Sequence, residues 1–181
     1  MSNVKGTVML TLIKGIRGNK SGIYDDKFTA ADWKVLNGVI YPTGWYLFSL
    51  YKKMIRAAAE VEINNDEKKL FEWGYQGVDL LLYRLYNSFI VEGSVVATIQ
   101  NYTAINRMFF DGCRIEMRQI EDKKIQLDFF GYTSDFEEFY RIVNGWIFRI
   151  VERAGAENTK SHFVSKSWEG DPDTTIEYAW D

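Results

Sequence analysis

The apolar positions of this 181-residue chain change period along its length, and the changes mark out its elements. Near the start, VKGTVMLTLIKG alternates loosely. Val8, Leu10 and Leu12 fall on one face and Thr7, Met9 and Thr11 on the other. That spacing suits a strand or a short helix, and a strand is the expectation carried forward. The polar, glycine-bearing RGNKSG that follows reads as a loop.

From residue 28 onward the period becomes helical. Thr29-Ala30-Ala31-Asp32 has the form of a capping box, with Phe28 and Trp33 at the staple positions on either side. The helix behind it runs to about Ile40 and stops before Tyr41-Pro42, because the residue preceding a proline avoids the helical region. TGWYLFSLYKKMIRAAAEVE predicts a second helix, with Phe48, Tyr51, Ile55 and Ala58 or Ala59 on one stripe. After the break at NND, a third places Leu70, Trp73, Gly74, Gly77, Leu81, Arg84, Leu85, Ser88 and Phe89 on one face. Glycine costs about 1 kcal/mol against alanine inside a helix. Gly74 and Gly77 therefore point to close approach, by another element or by a ligand. A fourth helix follows Glu92-Gly93-Ser94, striped by Val95, Ile99, Tyr102 and Phe109.

Past Asp111-Gly112 the period falls to two. Cys113, Ile115 and Met117 alternate with Arg114, Glu116 and Arg118. After the turn EDKK, Ile125, Leu127 and Phe129 alternate with Gln126 and Asp128. This is a β-hairpin with one apolar and one charged face. Ser134–Glu137 offers another capping box, ahead of a helix striped by Phe136, Phe139, Tyr140, Val143, Ile147, Ile150, Val151 and Ala154 and closed by Gly155. A second hairpin carries His162, Val164, Lys166 and Trp168 into the tip EGDPD, and Thr174, Ile176, Tyr178 and Trp180 out of it. The fold class is α+β. We expect an antiparallel sheet of about four to five strands, a layer of mostly N-terminal helices, and two C-terminal hairpins flanking one helix, in one domain spanning residues 1–181.

Composition narrows the chemistry. A net charge of −3, with no basic run longer than Lys52-Lys53, disfavours nucleic-acid binding. No stretch approaches the ~20 apolar residues of a membrane span, and a cytoplasmic protein is expected. One Cys and one His cannot build a Cys/His zinc site, and no metal site or cofactor is assigned. Cys113 reads as a buried small hydrophobe and His162 as a structural or surface residue rather than a haem ligand. Glu169, Asp171 and Asp173 crowd the tip of the last hairpin, where Gly170 and Pro172 make turn chemistry the better reading than cation binding. No nucleophile motif or phosphate loop is present. The aromatic share, 16%, is more than a minimal core requires. Phe48, Tyr51, Trp73, Tyr102, Phe109, Met117, Phe129 and Trp146 are candidate linings of a pocket between helices and sheet. Periodicity does not separate that pocket from a solid core.

Several words of the sequence carry a resemblance: GTVMLTLIKGIRG, YPTGWY, FFDGCRIEM, VNGWIFRIVERAGAEN and the terminal WEGDPDTTIEYAW. Together with the element order, they resemble 4-vinyl-reductase-type domains and their bacterial relatives of unknown function. These share a small-ligand-binding fold with nitric-oxide-signalling-associated proteins and a Golgi transport subunit. The resemblance implies a helical layer on an antiparallel sheet, an apolar pocket or channel, frequent dimerisation, and sensory or scaffolding roles. Many such domains carry cysteines near the terminal hairpin, whereas Ser165, Ser167 and Thr174 stand there in this chain. The expected function is thus a non-catalytic, dimeric small-molecule-binding or sensory domain, its ligand an apolar or aromatic small molecule or an acyl chain. The alternatives are a homodimeric scaffold without a ligand and, last, an enzyme acting on a small apolar substrate.

Overall fold

A computed structural model describes residues 2–85 and 89–181, with side chains for 2–80 and 89–181. Ser88, expected on the buried face of the third predicted helix, lies outside the described residues, as do the side chains of Leu81, Arg84 and Leu85. In chain order the elements are β1 (Asn3–Lys5), α1 (Gly6–Gly18), α2 (Ala30–Leu36), β2 (Trp45–Leu47), α3 (Phe48–Ile63), α4 (Glu67–Leu85), α5 (Val95–Phe109), β3 (Phe110–Asp111), β4 (Arg114–Glu121), β5 (Lys124–Phe130), α6 (Glu137–Arg153), β6 (Lys160–Ser165) and β7 (Thr174–Ala179). The fold is α+β, with its helices mostly N-terminal and the two hairpins flanking α6 as expected. Among the described residues, no helix is long and apolar enough to cross a membrane.

Among the described residues the strands form two sheets instead of one. The larger has the order β4-β5-β7-β6, every pairing antiparallel. Ile115 pairs with Phe129, Leu127 with Ile176 and Ile125 with Tyr178. These side chains are buried on the inner face, where α6 covers them with Tyr140, Ile147, Ile150 and Val151. Phe129 meets Tyr140 edge-on at 5.7 Å, and the Tyr178 hydroxyl donates to the Asn144 carbonyl. The outer face is polar: Arg118 binds Asp128 at 2.6 Å, and Asp128 also accepts from Thr175. Burial of each large apolar side chain is worth about 1.5–3 kcal/mol, so the period-two pattern specifies this face and its register. At the tip of the last hairpin, Gly170 takes φ +108° and Asp171 accepts the Lys166 amide proton at 2.6 Å. Glu169 pairs with the Lys166 ammonium at 2.8 Å.

The smaller sheet, β2-β1-β3, corrects two expectations. Residues 6–18 form a helix, not a strand. Gly6, Met9, Ile13 and Ile16 are its buried positions, and this helical stripe outruns the short alternation of residues 7–12. Only Asn3–Lys5 are extended, and they draw Trp45–Leu47 out of the predicted second helix: Val4 pairs with Tyr46, and α3 begins one residue after Leu47. The capping box at Thr29 and Asp32 is present in both directions, and Phe28 meets Trp33 at 5.3 Å. The helix it starts ends at Leu36, short of Ile40. The second proposed box is not formed. α6 starts at Glu137, so Phe136 and not Ser134 is its N-cap and makes no side-chain cap bond, while Glu137 pairs with Arg141 one turn on.

Helices α4 and α6 meet through their glycines. A Cβ on Gly74 would lie 1.7 Å from the Ile142 carbonyl oxygen, and one on Gly145 would lie 1.9 Å from that of Phe71. Each helix thus presents bare backbone to the other. Beside the crossing, Asp79 of α4 accepts from Arg149 at 3.0 Å and Arg153 at 2.5 Å, and the Tyr75 hydroxyl donates to Glu152 at 2.7 Å. Gly74→Ala and Gly145→Ala are each expected to destabilise the fold by about 2 kcal/mol or more. Gly15 is also helical, but nothing lies within 4 Å of its Cβ position. Gly15→Ala is expected to stabilise by up to about 1 kcal/mol. Urea-denaturation midpoints of the three variants check this opposition of sign.

Candidate functional site

The helical layer encloses a cavity of about 360 Å³. α1 contributes Thr7, Val8, Thr11 and Leu12; α3, Tyr51 and Ile55; α4, Trp73, Gly74 and Gly77. α5 adds Tyr102, Ile105, Asn106 and Phe109, while α6 adds Phe139, Ile142, Val143 and Trp146. Phe89 and Phe110 complete the described wall. Thr11 is exposed and Val8 and Leu12 are half-buried, so the cavity opens beside α1. The helical spacing explains the grouping: Thr7/Thr11 and Val8/Leu12 stand one turn apart on α1, and Tyr102, Ile105, Asn106 and Phe109 follow i, i+3, i+4, i+7 on α5. Gly77 has a part in shaping the wall, since the Trp146 ring comes within 3.2 Å of its Cβ position. Of the two predicted reasons for the α4 glycines, close approach by another element is the one the structure shows. Gly74 admits the α6 backbone, and both glycines face the void.

Of the eight residues singled out from the sequence, Tyr51, Trp73, Tyr102, Phe109 and Trp146 line this cavity. Phe48, Met117 and Phe129 do not. Phe48 packs in an aromatic cluster with Tyr51, Phe110, Tyr132, Phe136 and Phe139, at centroid distances from 5.9 to 6.3 Å. Phe129 is sealed between the larger sheet and α6, and Met117 is half-buried on β4 opposite Leu127. The cavity also sits elsewhere than expected. No described residue of the four-stranded sheet lines it, because Phe129, Phe136, Tyr140, Ile147 and Tyr178 fill the space between α6 and that sheet. Sequence reasoning missed the α1 wall because it took that segment for a strand. The i, i+4 repeat of Thr7/Thr11 and Val8/Leu12 was the available signal.

The wall is apolar with a few polar groups. Among its described residues none is Asp, Glu, Lys, Arg or His. Tyr51 is 7% exposed, and its hydroxyl makes no hydrogen bond to a described group. Burial pushes its phenol well above the ordinary tyrosine range. Tyr102 is raised in the same way, by burial and then by the nearby Tyr51. Asn106 donates to the Tyr132 hydroxyl at 2.8 Å. Cys113 lies outside the lining. It is buried, donates to the Gly131 carbonyl at 3.4 Å, and has a thiol that burial pushes up, the signature of an inert cysteine. His162 is on the outward face of β6, its side chain 64% exposed and 4.0 Å from Glu177.

No family model matches this sequence, and no curated protein does. Solved structures do match in shape. An oxygen-binding H-NOX domain related to soluble guanylate cyclases has a TM-score of 0.65 and 14% identity, covering 98% of this chain and 95% of that one. A T. tengcongensis H-NOX variant gives 0.64 and 14%, covering 98% and 97%. A Cs H-NOX variant carrying 4-cyano-L-phenylalanine gives 0.67 and 14%, covering 98% and 96%. At that identity the likeness speaks for architecture alone. Among the described residues, the six helices, the two antiparallel sheets and their order make this an H-NOX-like fold.

Proposed function

We propose that this chain is a non-catalytic ligand-binding domain of the sensory kind, which holds a small apolar molecule in the cavity walled by α1, α3, α4, α5 and α6. One observation carries the reading: about 360 Å³ of space with an apolar, aromatic-rich wall and a mouth beside α1. Ligand sites are commonly concave, apolar and largely preformed, with a few placed polar groups, and this cavity has that character. The absence of catalysis is argued from its titratable groups. Tyr51 and Tyr102 stay protonated far above neutral pH, so neither serves as a general base. Native mass spectrometry of the purified chain is expected to show a co-purified apolar molecule or uptake of an added one. Ile105→Trp, which fills the cavity, is expected to weaken that uptake at least tenfold. Equal uptake by the filled variant sinks the reading.

Structures of this fold include proteins described by their haem, which makes haem the first ligand to consider. The described residues do not fit it. Haem iron needs an axial His, Cys, Met or Tyr, and its carboxylates need cations or strong donors. The single histidine stands exposed on the larger sheet, and Cys113 lies behind the wall. The phenols of Tyr51 and Tyr102 resist the ionisation that ligation requires, and no described lining residue is a cation. Hemin added to the chain is expected to give the absorption spectrum of haem without a protein ligand, unchanged by His162→Ala. A ligated spectrum overturns this part of the proposal.

Self-association is the second part of the reading. Val39, Tyr41, Trp45 and Leu47 are exposed in and just before β2, an edge strand with one side unpaired. Apolar side chains along a sheet edge invite pairing with a second copy. Light scattering at micromolar concentration is expected to give the mass of a dimer, and the double substitution Trp45→Ser, Leu47→Ser that of a monomer. A monomeric parent chain removes this part.

A further inference from the structure

We infer that the cavity selects a neutral lipophile bearing one hydrogen-bonding oxygen, an alcohol, phenol or ketone, held at that oxygen by the hydroxyls of Tyr51 and Tyr102. This rests on the cavity reading above and names its ligand class. The argument begins with two hydroxyls that the protein leaves unpaired. Tyr51 comes from α3 and Tyr102 from α5, and both line the cavity. Tyr51 is more than nine-tenths buried, and its ring is fixed by Phe48 at 6.0 Å and Phe110 at 6.2 Å. Tyr102 is held by Phe89 at 6.3 Å. Neither hydroxyl bonds to any described group. The described side-chain polar atoms that are both sealed and unpaired are Asn144 Oδ1 and Thr159 Oγ1. The two phenol oxygens are not among these sealed atoms, and both residues line the void.

A buried hydroxyl without a partner is costly, and a ligand oxygen that supplies the partner recovers that cost. Both phenols belong to the wall of one cavity, Tyr51 reaching it from α3 and Tyr102 from α5. Each can donate one proton and accept from another group. A hydroxyl or carbonyl oxygen therefore finds a donor there, and a hydroxyl finds an acceptor too. The rest of the ligand meets the aromatic faces of Trp73, Phe109 and Trp146. Charge is selected against. With no cation or carboxylate in the described wall, an anionic or cationic group entering it loses its hydration without an ion-pair partner. Plain hydrocarbons are accepted but not favoured, because they leave both hydroxyls unpaired.

Equilibrium dialysis of the full chain against naphthol, naphthalene and naphthoate separates these possibilities. Naphthol is expected to bind about 3- to 10-fold more tightly than naphthalene, the span of one or two net hydrogen bonds. Naphthoate is expected to bind at least tenfold more weakly than naphthol. Tyr51→Phe is expected to bring the preference for naphthol over naphthalene close to one. Tyr102→Phe makes the same test independently should the first variant fold poorly by circular dichroism. Equal binding of naphthol and naphthalene, or a preference that survives both substitutions, overturns the inference and leaves the apolar-cavity reading standing. Naphthoate binding tightest also overturns it. Failure of all three probes to bind overturns the cavity reading and the inference with it.

Discussion

The contact between the backbones of α4 and α6 sets the rest of the structure. At Gly74 and Gly145 each helix lies where the other would need a side chain to be absent, and the two glycines answer each other across one crossing. Helices ordinarily pack 8–10 Å apart, with side chains between them. Here the carbonyls of Ile142 and Phe71 occupy the places of two missing Cβ atoms. That approach aligns Asp79 with Arg149 and Arg153, and Tyr75 with Glu152, without requiring any of those pairs to be strong. It also brings Trp146 up to Gly77, where the indole becomes cavity wall. α6 carries both tasks because its other face is committed to the larger sheet.

Two faces of α6 thus meet two different kinds of space. Toward the sheet, Tyr140, Ile147, Ile150 and Val151 interlock with Phe129, Ile176 and Tyr178, and the layer is solid. Toward α4 and α5, Phe139, Ile142, Val143 and Trp146 border an opening. The difference follows from geometry more than from hydrophobicity. Period-two strands present side chains at close, regular spacing, which a helical stripe fills easily. Three or more helices meeting at one place leave a gap unless long side chains reach into its centre. Two of the α4 residues facing that gap are glycines, which have nothing to reach with.

How much of this was legible in the sequence depended on the length of each pattern. The hairpins, α3 to α6 and the Thr29 cap were readable because many residues agree on each, or because a cap carries its own chemistry. Residues 6–18 were not, since a few alternating positions outweighed a helical stripe that becomes clear only when Ile13 and Ile16 are counted. The short strand Trp45–Leu47 has no local signal; it exists because Asn3–Lys5 lies beside it. Ser134 and Glu137 illustrate the reverse, a local cap motif that is not formed because the helix starts at Glu137 itself, whose carboxylate pairs with Arg141. Five of the eight aromatic and apolar residues proposed as linings reach the cavity. Phe48, Met117 and Phe129 were chosen on the same grounds, and their places were decided by which layer they face.

The same reasoning separates fold from ligand. An architecture shared with H-NOX domains places helices around a void, but what enters a void is decided by the side chains on its wall. In this chain the wall supplies aromatic surface, two hydroxyls kept protonated by burial and no described ionised group. The residues with the stronger coordination chemistry, His162 and Cys113, are placed where that chemistry is not engaged: one faces solvent and the other is sealed beside Gly131. A wall of this kind rewards shape and a single well-placed oxygen over charge or metal coordination, because each unmatched charge loses its hydration while each matched hydroxyl gains a partner. The aromatic excess in the sequence therefore has two destinations, a sheet-facing core that it fills and a helical cavity that it lines.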